Sequence, residues 1–140
     1  MSEIRNLAVR THNQAYEEVE SGANPAHAVE LAATALNLWR KVGDSKNLVI
    51  GCWLYSRALA KFGAPKLALA VTKESLEHIQ AMDAPEDWLT ASALEGYARA
   101  LKAAGAPEAE AALQTALRAI DGIEDEADRK LIAGQIADLL

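Results

Sequence analysis

Apolar residues recur along the chain at three- and four-residue spacing, in blocks separated by short polar punctuation. Gly63-Ala64-Pro65 and Gly105-Ala106-Pro107 are the same tripeptide, and Gly22-Ala23-Asn24-Pro25 is a near-copy. Glycine closes a helix because it enters the left-handed region without a Cβ penalty. Proline suits the first helical position, where its missing N–H costs nothing. Each copy therefore ends one helix and starts the next, with too few linking residues for anything but an antiparallel pair. Other signals divide the pairs: Gly43 then Asp44, Asp83 with Pro85 and Glu86 as a capping-box-like start, and Gly122 then Asp125. The pattern predicts seven helices over residues 3–21, 25–42, 45–62, 65–81, 85–104, 107–121 and 125–139. No alternating or β-branched stretch predicts a strand.

The second helices of the three pairs align without gaps at spacings of 40 and 41. Ala28, Ala68 and Ala109 match, as do Leu36, Leu76 and Leu117, then Trp39, Ile79 and Ile120, then Val42, Met82 and Ile123. Ala35, Ser75 and Ala116 keep one site small. The first helices of pairs two and three match as Tyr55–Gly63 and Tyr97–Gly105, with Ser56 and Ala98 equivalent. One hairpin cannot bury both of its apolar sides, so this repetition predicts a stack with a continuous core. The expected architecture is all-α: a single domain over 1–140, an α-solenoid of three hairpins at 3–42, 45–81 and 85–121, and a capping helix at 125–139. That last helix carries Leu131, Ile132, Ile136, Leu139 and Leu140. Closure of the stack is its plainer role; a homodimer contact is the other.

This pattern resembles the tetratricopeptide-repeat (TPR) superfamily in its longer form, with roughly forty residues per hairpin. The segment Ala35–Asp44 is similar to that form's hairpin-joining stretch, and Ser56, Ala98, Ala68 and Ala109 fall at its small positions. The resemblance implies that the first helices line a concave surface. On them lie Trp53, Arg57 and Lys61, then Glu95, Arg99 and Lys102, with His12 and Tyr16 extending the face. Arginine grips carboxylate bidentately and tryptophan anchors apolar groups, so an acidic segment of another protein is the expected ligand. The lysine–asparagine clamp that chaperone-binding members close on a terminal carboxylate is missing: His12, Tyr16, Leu54, Ser92 and Gly96 stand at the equivalent sites.

Composition narrows the function classes. The chain has 140 residues, a formal charge of −6 and one cysteine, Cys52. Net negative charge argues against general nucleic-acid binding. No apolar run reaches the ~20 residues of a membrane helix, and the N-terminal stretch lacks a signal-peptide core. A cytoplasmic protein is expected, and the alanine-rich helices are compatible with a bacterial source. His12, His27 and His78 have no partner at metal-ligand spacing, and no phosphate loop or nucleophile elbow occurs, so neither metal nor cofactor is expected. Arg5-Asn6 ahead of His12 is loosely similar to the arginine–histidine motif of HEPN-type helical ribonucleases, but it lies at the wrong end of the chain. The expected function is a non-enzymatic scaffold that binds a protein or peptide in its groove. Self-assembly through the last helix is the alternative, and a ribonuclease-like enzyme or small-molecule sensor ranks third.

Overall fold

The computed structural model describes residues 2–140. Its helices are α1 (Glu3–Ser21), α2 (Pro25–Val42), α3 (Ser45–Lys61), α4 (Pro65–Gln80), α5 (Asp87–Ala103), α6 (Ala109–Asp121) and α7 (Glu126–Ile136), and a 3₁₀ turn follows at Ala137–Leu139. There is no strand among the described residues. Consecutive helices pack as hairpins, α1 with α2, α3 with α4 and α5 with α6. Successive hairpins then pack through α2 on α3 and α4 on α5, while α3 also meets α5 directly.

The repeated tripeptides act as their chemistry requires. Gly63 has φ +97° and Gly105 φ +67°, both left-handed. Each is followed by the same closing bond, from Ala64 N–H to Leu59 O at 2.8 Å and from Ala106 N–H to Leu101 O at 3.0 Å. This is the six-residue closure of a Schellman motif, and the two copies make it at equivalent positions. Asn24, Asp44 and Asp125 cap α2, α3 and α7 by accepting from the N–H groups of His27, Asn47 and Asp128. Asn47 reciprocates to the Asp44 N–H at 3.1 Å, completing a capping box.

Two helix starts differ from expectation. α5 begins at Asp87 rather than residue 85, with Glu86 in the capping position but without a side-chain cap bond. The Glu86 carboxylate is occupied elsewhere, by the Lys46 ammonium at 2.7 Å and the Trp88 indole N–H at 2.8 Å. α6 begins at Ala109 because Pro107 and Glu108 are spent in a turn.

The matched positions of the second helices supply much of the core: Ala28, Ala68, Leu36, Trp39, Ile79, Ile120 and Ile123 are buried. The capping helix joins it, since Ile132, Ile136 and Leu139 pack with Ala91, Ala116, Ile120 and Ile123. Each of the three is at least nine-tenths buried, a burial on the order of 1.5–3 kcal/mol per side chain. These three of the five residues offered as a dimer contact are therefore core residues of their own chain. Leu131 and Leu140 remain exposed, at 58% and 75%.

Candidate functional site: the concave face and its two ends

α1, α3 and α5 are the first helices of the three hairpins and run side by side. α7 continues the series in the same direction. The Asp87 carboxylate at the start of α5 accepts from the Glu124 N–H just ahead of α7, and Arg99 near the end of α5 reaches Asp138 just beyond α7. The four helices share one face, whose two ends differ in chemistry.

At the end nearer the helix C-termini the face is filled with ions. Glu95 is completely buried, accepting from the Trp53 indole N–H at 2.7 Å and from Arg99 Nε at 3.0 Å. Gly96 makes room for this: a Cβ there would stand 3.3 Å from Trp53 Cδ1. Arg57 lies 3.6 Å from the same carboxylate, donates to Glu20 at 2.8 Å, and stacks its guanidinium 5.4 Å from the Trp53 ring centroid. Arg99 forks onto both oxygens of Asp138, at 2.7 and 2.8 Å, and donates to the Gln135 carbonyl at 2.9 Å. This pairing holds the Asp138 carboxyl down at about 2, below the usual carboxylate range. Lys102 donates to the Leu139 carbonyl and Lys61 to the Val19 carbonyl.

The expectation of open arginines is corrected here. Arg57 and Arg99 are each only 5% exposed, and their carboxylate partners come from the chain itself. A buried guanidinium must be paired, and Glu20, Glu95 and Asp138 do the pairing. Glu95 is likewise no groove-surface residue. The acidic segment expected from another protein is matched by this chain's own last turn.

At the other end the face is open. A pocket of about 530 Å³ is lined by His12, Asn13, Tyr16 and Glu17 of α1, Val49, Ile50 and Trp53 of α3, Trp88, Leu89 and Ser92 of α5, and Leu131, Ile132 and Gln135 of α7. Its walls are mostly apolar carbon, and Tyr16 stacks on Trp53 with ring centroids 6.1 Å apart. His12 Nδ1 and Gln135 Oε1 are buried without a hydrogen-bond partner. Burial lowers the His12 pKa, so its imidazole is neutral near pH 7. Of the residues named from sequence, His12, Tyr16 and Trp53 meet at this pocket, while Arg57, Lys61, Glu95, Arg99 and Lys102 meet at the ionic end. Sequence reasoning missed Trp88 and placed Leu131 at a dimer contact. An aromatic in the first turn of a first helix was the available signal for Trp88.

No group of three or more His, Cys, Asp or Glu residues that could hold a metal occurs among the described residues. Cys52 is buried, and burial first, then the nearby Glu74 carboxylate, pushes its thiol up to about 12. It is a poor nucleophile. No described helix is long and apolar enough to cross a membrane.

No family model matches this sequence, and no curated protein does. Among solved structures the chain is similar to a TPR-like protein from Chlorobium tepidum TLS. The superposition has a TM-score of 0.69 at 18% identity and covers 94% of this chain and 93% of the other. The fold is TPR-like. Agreement over nearly the whole length at such low identity means that the hairpin stack, rather than particular surface residues, is what the two share. In this TPR-like stack the open end of the concave face is where chemistry is left unmet.

Proposed function

We propose that this chain is a non-catalytic cytoplasmic scaffold that holds a segment of another protein on its concave face, seated at the pocket of His12, Tyr16 and Trp53. One observation carries the reading. Four helices contribute to one apolar pocket of about 530 Å³, while at the other end of the same face Arg57, Glu95, Arg99 and Asp138 pair with one another. That volume lies within the roughly 300–1,000 Å³ range of ligand-binding clefts. Tyr16 and Trp88 are half-buried and Trp53 is buried behind them, and aromatics set into a depression are the usual anchor points of an interface. The groove reading thereby shifts along the face, from its arginines to its aromatics.

A photo-crosslinking residue placed at Leu131, which is exposed and lines the pocket, should trap a specific partner in cells of the native source. The same residue placed at Leu67, exposed but outside the pocket, should not. Equal trapping at both positions would overturn the reading. Trapping of a second copy of this chain from Leu131 would replace it with self-assembly.

A further inference from the structure

The pocket's own chemistry specifies what kind of segment fits it. Glu17 is the one charged side chain among the lining residues, and it is exposed at the rim. Arg57, Lys61, Arg99 and Lys102 are turned to the other end and paired there, and Lys46, 5.1 Å from the Trp88 ring centroid, is held by Glu86 at 2.7 Å. No lining side chain therefore offers a cation to a carboxylate or phosphate, and bringing an anion beside Glu17 adds like-charge repulsion. A lysine or arginine is favoured at the same place.

The interior is apolar, with Trp53, Trp88 and Tyr16 as its large surfaces. Aromatic surfaces of this kind favour another ring, offset or edge-on. The polar groups of the walls include Gln135 Oε1, an acceptor with no donor, and the neutral His12 ring, whose Nδ1 has no partner. A buried acceptor left unpaired costs about 1–3 kcal/mol, which a ligand N–H or O–H recovers. The indole N–H of Trp53 is already committed to Glu95 and does not supply that donor.

We infer that the pocket takes the aromatic side chain of a partner segment, one that carries its own hydrogen-bond donor, as tryptophan and tyrosine do, and is flanked by lysine or arginine rather than by acidic residues. This rests on the partner-segment reading above and reverses the charge expected of the ligand from sequence.

The test is selection of random peptides on the immobilised protein, followed by titration of the selected peptides while the indole N–H resonances of Trp53 and Trp88 are followed by NMR. The expected consensus has a tryptophan or tyrosine with a basic residue within one helical turn. Its binding should weaken at least ~tenfold when the aromatic becomes alanine, and by a similar factor when the basic residues become glutamate. In the Glu17→Lys variant the preference for basic flanks should collapse; Glu17 is exposed, so the fold tolerates the change. Peptides that shift the Trp53 and Trp88 signals with no aromatic or charge preference would overturn the inference and leave the partner-segment reading standing. Peptides that leave both signals unmoved, or no selected peptide at all, would sink both. Binding of tryptamine without binding of any peptide would overturn the partner segment in favour of a free small molecule.

Discussion

The two ends of the concave face are built from the same four helices and reach opposite outcomes. At one end Arg57, Glu95, Arg99 and Asp138 satisfy one another, so the polar capacity of the face is spent internally. At the other end Tyr16, Trp53, Trp88 and Leu131 meet around open space, and two polar atoms stay unpaired. Trp53 belongs to both, with its ring in the pocket and its N–H on Glu95. The ionic end therefore positions the pocket wall from behind: it holds Trp53 through Glu95 and the end of α7 through Arg99. A face of this kind separates rigidity from recognition along one helix direction, and substitutions at the two ends should fail in different ways.

The sharpest contrast comes from Glu95→Ala. Removing this carboxylate leaves two buried guanidinium groups short of a counter-charge and frees the Trp53 indole N–H, a loss of about 3–5 kcal/mol. Urea unfolding measures it. A loss below ~1 kcal/mol would mean that Glu20 and Asp138 suffice, and that the two ends are less different than their geometry implies.

Acid should act on the ionic interactions next. Asp138 is held at about 2 by its fork to Arg99, and Glu74 at about 2 by its paired bonds from Arg40 at 2.7 and 2.9 Å. In the unfolded chain both titrate near their ordinary values of about 4. The folded state thus binds these protons less readily, so the stabilisation is complete above about pH 4 and is lost as pH falls towards 2. Both groups are partly exposed, and solvent screening limits each to roughly 1 kcal/mol. Asp138→Asn should remove its share of that acid loss in pH-dependent thermal melts. An unchanged acid limb would detach Asp138 from the stability of the ionic end.

At the pocket end the titrating group is His12. Burial lowers its pKa, so below its ordinary value of about 6.5 the unfolded chain takes up a proton that the folded chain resists. Stability should be level above about pH 7 and decline as pH falls through the His12 range, before the carboxylates respond. His12→Phe should flatten that interval and leave the acid limb in place. A decline that persists in His12→Phe would assign it to another group.

The hairpin stack was legible in the sequence because its signals are local. A cap, a left-handed glycine and a helix-starting proline each act within a few residues, and Gly63 and Gly105 make the same closure. Arg57 and Arg99 were equally legible as concave-face residues. Of their partners only Glu95, four residues before Arg99, lay within local reach; Glu20, Gln135 and Asp138 are 36 to 78 positions away. Whether a cation faces water or a carboxylate depends on how far the last helix wraps across the face, a global property of the stack. The same wrap buried Ile132, Ile136 and Leu139 while leaving Leu131 at the pocket. Helical spacing told that these side chains share an apolar set; it carried no information about which surface would meet them.

The smallest expected effect on stability is the most informative about function. Leu131 is 58% exposed, so Leu131→Asp removes little buried area and should shift the unfolding free energy by less than about 0.5 kcal/mol. It nevertheless puts a carboxylate on the pocket wall, on the same helix as Gln135 and opposite the aromatic residues of α1 and α3. An apolar anchor would then be seated against a charge that must be desolvated, and partner binding should weaken at least ~tenfold in a direct titration. The matching control is Leu67→Asp, which is also exposed and lies outside the pocket; it should leave both stability and binding unchanged. Should Leu131→Asp bind as well as the parent chain, the open end of the face would be as idle as the ionic end. The difference between the two ends would then be one of packing alone.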